Sequence, residues 1–139
     1  MKKSISLLRC IFILIIWCVM LVITGCYEIH EKKYYSDVNN FITEEAVVDN
    51  IIYDADSGDI VLWLSDIHDS YQSSAFMIKG ENFQVVMDRE ILNKIKIGDV
   101  ITFTSAPGYF GNGYFMPIVA ISISDEELLS FEVGYENLM

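Results

Sequence analysis

The stretch Asp54-Ala55-Asp56-Ser57-Gly58-Asp59-Ile60-Val61-Leu62-Trp63-Leu64-Ser65 decides the fold class. Its first half is an Asp/Ser/Gly cluster of the kind that turns a chain, because short polar side chains bond their own backbone and glycine accepts left-handed conformations. Its second half, Ile60 to Leu64, is a short continuous apolar run bounded by Asp59 and Ser65, which reads as a strand. Upstream, Ala46 to Tyr53 is rich in Val and Ile, so the two runs and the turn between them predict a β-hairpin. A strand apolar on both faces is expected to be covered on both sides. Leu62, Trp63 and Phe103 are therefore expected to be largely buried.

Downstream the β character continues. Ser74 to Lys79 and Phe83 to Met87 form a third β region with a turn or bulge at Gly80-Glu81-Asn82. Asp88 then caps a short helix that places Ile91, Leu92 and Ile95 on one face and ends at Gly98. Val100 to Thr104 is the next strand, and Asn112-Gly113 is a type I′ turn signal inside the loop that follows it. Tyr114 to Ile123 is the last strand, where Pro117 has to sit at an edge or bulge because it has no N–H for a ladder. Ser124-Asp125-Glu126-Glu127 has the form of a capping box, which predicts a C-terminal helix from Asp125 that buries Leu128, Leu129 and Phe131 and stops at Gly134.

Three strands, a short helix and two more strands resemble the layout of an OB-fold, a five-stranded Greek-key barrel. An all-β domain with short helices is expected, with an SH3-like barrel or a small α+β open sheet as the alternatives that share this patterning. The OB resemblance implies a ligand face across the second and third strands, flanked by the loops 54–59 and 105–113.

Ahead of the domain, Lys2, Lys3 and Arg9 precede the apolar run Ile11 to Ile23. A basic start, an apolar centre and small residues before a cleavage point are the parts of an export signal. Ile23-Thr24-Gly25-Cys26 resembles the lipobox of bacterial lipoproteins. The resemblance implies a diacylglycerol on the Cys26 sulfur, acyl chains of the palmitate kind, and cleavage between Gly25 and Cys26. The alternative is an uncleaved transmembrane anchor, since Cys10 to Tyr27 is 18 residues without a charge. Either way the cations face the cytoplasm and the bulk of the chain is extracytoplasmic, at the cell membrane. The expected organisation is a signal peptide at 1–25, a lipid-anchored flexible tether at 26–40 and the barrel domain at 41–139.

Removing the leader's 25 residues from 139 leaves 114, enough for one core without staples. None is available, because Cys10 and Cys18 lie in the leader and Cys26 is the lipid site. The mature part holds six basic against 20 acidic residues, a net charge of −14. Such a field repels phosphate backbones and argues against nucleic acid as partner.

Three constellations bear on chemistry. Asp66-Ile67-His68 after a strand resembles the first motif of calcineurin-like metallophosphoesterases, which implies a metal-dependent hydrolase. The family's remaining motifs are missing, and the chain's second histidine is His30, in the tether. Asp54 to Asp59 compares with a calcium loop, but Gly58 and Asp59 stand transposed and Ser65 occupies the position of the bidentate Glu. The third constellation is Gly108-Tyr109-Phe110-Gly111-Asn112-Gly113-Tyr114-Phe115, aromatics interleaved with glycines. It makes Tyr109, Phe110 and Tyr114 candidate ligand-binding residues, against the alternative that they fold onto the core. No nucleophile–base pair, cofactor motif or metal-ligand set is present. The sequence therefore points to a non-catalytic binding module whose partner is an envelope protein or a cell-wall glycan, the alternatives being a metal-dependent phosphoester hydrolase using Asp66 and His68 and a structural or immunity-type envelope lipoprotein.

Overall fold

The computed structural model describes residues 2–80, 91–108 and 115–139. Within helix α1 the side chains of residues 2–9, 21–24 and 26–28 fall outside that description.

The chain opens on helix α1, Lys2–Tyr35. Residues expected to form a flexible tether are therefore helical as far as Tyr35. Lys32 and Lys33 sit in the last turn, where cations favour the negative end of the helix dipole. The helix stops because Ser36 and Asp37 redirect the chain. The Ser36 hydroxyl donates to the Lys33 carbonyl at 2.7 Å, the Asn40 amide to the Tyr34 carbonyl at 2.8 Å. Asp37 caps the 3₁₀ turn Val38–Asn40 by accepting from the Asn39 N–H. From Cys26 to Tyr35 the spacer is thus about 14 Å of helix in place of a coil that would reach on the order of 20 Å. Among the described residues no helix is long and apolar enough to cross a membrane.

Six strands follow: β1 Ile42–Tyr53, β2 Ile60–Ser65, β3 Ala75–Ile78, β4 Val100–Ser105, β5 Met116–Ile123 and β6 Glu126–Leu129. The sheet order is β3-β2-β1-β4-β5-β6, and a parallel pairing of β3 with β5 closes five of the strands into a barrel. This is the small all-β, OB-like barrel expected from the order of elements, extended by β6. β1 is the long strand because it serves two neighbours. Its first half pairs with β4 and its second half with β2, and the bulge between Val48 and Asn50 gives the bend this requires. Pro117 is the second residue of β5 and precedes Ile118, the first residue there to pair with β4, so the antiparallel ladder loses no donor.

Alternation puts Val48, Ile60, Leu62, Leu64, Phe76, Ile78, Ile101, Phe103 and Ile121 inside. At the centre Phe76 meets Phe103 at 5.0 Å and Tyr71 at 5.1 Å, edge to face in both cases. Residues 91–94 are helical and help close the barrel with Ile91 and Ile95, both buried, before Gly98 turns the chain at φ 92°. Phe83 to Met87 and Asp88 lie outside the described residues.

Two expectations fail. Ser124-x-x-Glu127 is not a capping box. Ser124 and Asp125 have φ values of 49° and 66°, the pair of left-handed residues of a tight hairpin turn, and residues 126–129 run back beside β5 as β6. Leu128 and Leu129 are buried as expected, but from a strand. The helix comes six residues later than expected as α2, Phe131–Leu138, with Ser130 as its N-cap. Gly134 does not stop this helix. It lies buried inside it, where a Cβ would stand 2.1 Å from the Val119 carbonyl oxygen, so glycine is what lets α2 lie flat on β5.

An aromatic cluster joins the segment leading into β1 to helix α2. Phe41 packs against Phe131 and Tyr135, each at 5.7 Å, and against Tyr35 at 6.1 Å. Burial pushes the Tyr35 phenol well above its ordinary 10.0, with the negative charge of Glu31 adding to it. Tyr71 is raised by burial and then by Glu44. A raised phenol pKa means that the unfolded chain releases these protons first. Stability is therefore full below about pH 10 and falls as pH rises beyond it. Denaturant melts between pH 8 and 12 are expected to show that fall, and the double variant Tyr35→Phe, Tyr71→Phe to flatten it; an unchanged slope refutes this assignment.

Candidate functional site

β2 alternates more strictly than its sequence suggests. Ile60, Leu62 and Leu64 point into the barrel, whereas Val61 and Trp63 point out, and Trp63 is 40% exposed. The expectation that Trp63 belongs to the core is wrong, because every residue of the run is apolar and the two-residue period is hidden. Leu62 and Phe103 are buried as expected, at 0% and 1% exposure.

Trp63 stands in an open groove of about 510 Å³, lined by Ile52 and Tyr53 of β1, Asp54 and Asp59 of the first hairpin turn, Val61, Met77 of β3, and Phe115. Tyr53 and Phe115 are 44% and 39% exposed. The groove lies across β2 and β3 with one wall from the β1–β2 turn and another from the end of the β4–β5 connection, the face the barrel layout leads one to expect.

The turn is held firmly. The Asp54 carboxylate accepts from the Asp56 N–H and the Ser57 hydroxyl, both at 3.0 Å, and the Asp54 N–H donates to the Asp59 carbonyl at 2.9 Å. Asp59 accepts from the Gly80 N–H at 2.8 Å, which fastens the turn to the end of β3. Gly80 has to be glycine, since a Cβ there would lie 2.1 Å from the Gly58 carbonyl carbon. The hydrogen bond from the Asp56 N–H, then that from Ser57, holds the Asp54 carboxyl below its usual range. Both lining carboxylates are thus tied to the turn by these hydrogen bonds.

The other candidates fall as follows. Tyr109, Phe110 and Tyr114 lie outside the described residues, though Phe115, the next in that motif, lines the groove. Tyr34, at the end of α1, meets the Gly108 backbone at the start of the same motif. Asp66 occupies a left-handed turn with φ 60°, and His68 Nδ1 pairs with the Ser70 hydroxyl at 2.8 Å while its backbone N–H donates to Glu44. Asp66 and His68 thus belong to a closed turn, and no group of three or more His, Cys, Asp or Glu able to hold a metal is found among the described residues. Gly25 lies in α1 with nothing within 4 Å of where a Cβ would stand, while the Cys26 side chain is outside the described set.

Sequence reasoning missed Tyr53, Trp63 and Met77. The available signal was size, because Trp63 is too large and too polar at its N–H to sit unpartnered in so small a barrel. No family model, no curated protein and no solved structure matches the chain.

Proposed function

We propose that this protein is a lipid-anchored, extracytoplasmic, non-catalytic binding module whose ligand lies in the β2–β3 groove. The observation that supports the reading is the exposure of three aromatic side chains, Tyr53, Trp63 and Phe115, around one concave apolar floor. Water contact at such faces is costly, and flat aromatic surface is what stacks on a sugar ring or grips a peptide side chain. The ligand is an elongated segment of an envelope glycan or protein. Nucleic acid is disfavoured by the net −14 of the mature part.

Trp63 reports on its own site. It and Trp17 are the chain's two tryptophans, and a Trp17→Phe background leaves Trp63 as the one tryptophan whether or not residues 1–25 are removed. In neutral detergent, a ligand in the groove is expected to shift Trp63 emission, and Trp63→Leu to abolish binding. Stability is expected to change by less than about 1 kcal/mol in Trp63→Ala, against the 3–5 kcal/mol of a buried tryptophan. A large loss of stability would return Trp63 to the core and remove the site.

The anchor is tested separately. Ile23-Thr24-Gly25-Cys26 supports a mature N-terminus at a lipidated Cys26. Mass spectrometry of membrane fractions is expected to show a diacylglyceryl-sized increment on a chain starting there, and Cys26→Ala to retain residues 1–25. An unmodified Cys26 on an intact leader establishes the transmembrane alternative.

A further inference from the structure

The groove has a polarity that its aromatics do not explain. Its two charged lining residues are Asp54 and Asp59, both acidic and both at the β1–β2 turn end, and no Lys, Arg or His lines it among the described residues. The rest of the lining is Ile52, Tyr53, Val61, Trp63, Met77 and Phe115. A neutral glycan could donate hydroxyl hydrogen bonds to the carboxylates but would leave both negative charges without a counter-charge. A group that matches both halves carries an apolar stem and a cationic head. Arginine and lysine side chains have that build: the methylenes lie along Ile52, Val61 and Met77, and the head reaches a carboxylate or the face of Trp63. Arginine fits best, since its flat guanidinium both stacks on an aromatic ring and pairs with a carboxylate through two parallel bonds.

We infer that the groove's ligand is a basic peptide segment, its arginine or lysine side chains taken between Trp63 and the Asp54/Asp59 pair. This rests on the groove being the binding site, as proposed above, and adds the class of ligand. Backbone pairing contributes little, because β2 and β3 each have neighbours on both sides, so recognition is through side chains. The acidic surface as a whole, net −14 in the mature part, draws the same ligands in from a distance.

The test uses the full chain in neutral detergent at physiological salt, with fluorescein-labelled tetra-arginine amide read by anisotropy. Unlabelled chitotetraose and tetraglutamate are followed by Trp63 emission in the Trp17→Phe background. Tetra-arginine is expected to bind and tetraglutamate not. Asp54→Asn with Asp59→Asn is expected to weaken tetra-arginine by about tenfold or more. Asp66→Asn with Asp69→Asn, which removes the same charge from a turn outside the groove, is expected to leave binding within about twofold. Equal losses in both double variants overturn the inference, since they show attraction by the whole acidic surface. Tetra-arginine that binds regardless of Asp54 and Asp59 overturns it as well. Binding of chitotetraose without tetra-arginine keeps the groove and rejects the ligand class; no response to either removes both.

Discussion

Phe103→Ala is expected to destabilise the barrel by about 3–5 kcal/mol, a large part of the stability of a domain this size. Phe103 is 1% exposed, meets Phe76 at 5.0 Å and Tyr71 at 6.1 Å, and stands on the strand that links β1 to β5. Truncation removes the buried ring and leaves a cavity that the closed sheet cannot collapse to fill, because the strands around it are fixed by their ladders. Residues 27–139 contain no cysteine, so no disulfide within the barrel holds the fold through that loss. Urea denaturation followed by far-ultraviolet circular dichroism measures it, with Trp63→Ala as the companion. A near-equal cost for the two would contradict the assignment of one ring to the core and the other to the groove.

Gly134→Ala is expected to cost roughly 2–3 kcal/mol, although alanine is the better helix former by about 1 kcal/mol. The clash decides the sign. A methyl 2.1 Å from the Val119 carbonyl oxygen meets backbone, which cannot swing away as a side chain would, so α2 has to lift off β5. Lifting it breaks the contacts of Phe131 and Tyr135 with Phe41 and the 2.6 Å bond from the Asn137 amide to the Lys79 carbonyl. Glu136→Ala, exposed on the same helix, separates propensity from packing and is expected to stay within about 0.5 kcal/mol of the parent. A neutral or stabilising Gly134→Ala would show that α2 is not seated as described.

Much of the fold was legible because the strands announce themselves locally. Ile60 to Leu64 and Val100 to Thr104 are apolar runs between turn residues, and the order of elements then restricts the topology. The misreadings share a cause. Ser124-x-x-Glu127 satisfies a helix-start pattern, and only the tertiary demand of Leu128 and Leu129 to lie against β5 makes it a hairpin. Tyr27 to Tyr35 shows no helical period in its polarity, yet in the full chain it continues the helix that begins at Lys2, where propagation is cheap. The site was half legible. The aromatic-glycine motif ends at Phe115, which lines the groove, while Tyr109, Phe110 and Tyr114 lie outside the described residues, and Trp63 was hidden in a run whose apolar residues face both ways. Asp54 and Asp59 were read as turn-formers, which they are; the further role proposed for them comes into view only when β2 and β3 place an apolar floor beside them.

The contacts of Phe41 with Phe131 and Tyr135 fix the order in which the molecule can be completed. Residues some 90 positions apart have to meet before the aromatic cluster exists, and β3 cannot close on β5 until residues 116–117 are present. A ribosome delivers the chain from its N-terminal side, so the barrel lacks its closing pieces until residues 116–135 have been made. Such a chain stays threadable until those residues emerge, which is the condition a translocation channel would impose under the export proposed above. The same delay leaves β1 and β2 unpaired on one side. Expression at high temperature is then expected to convert this protein into aggregates.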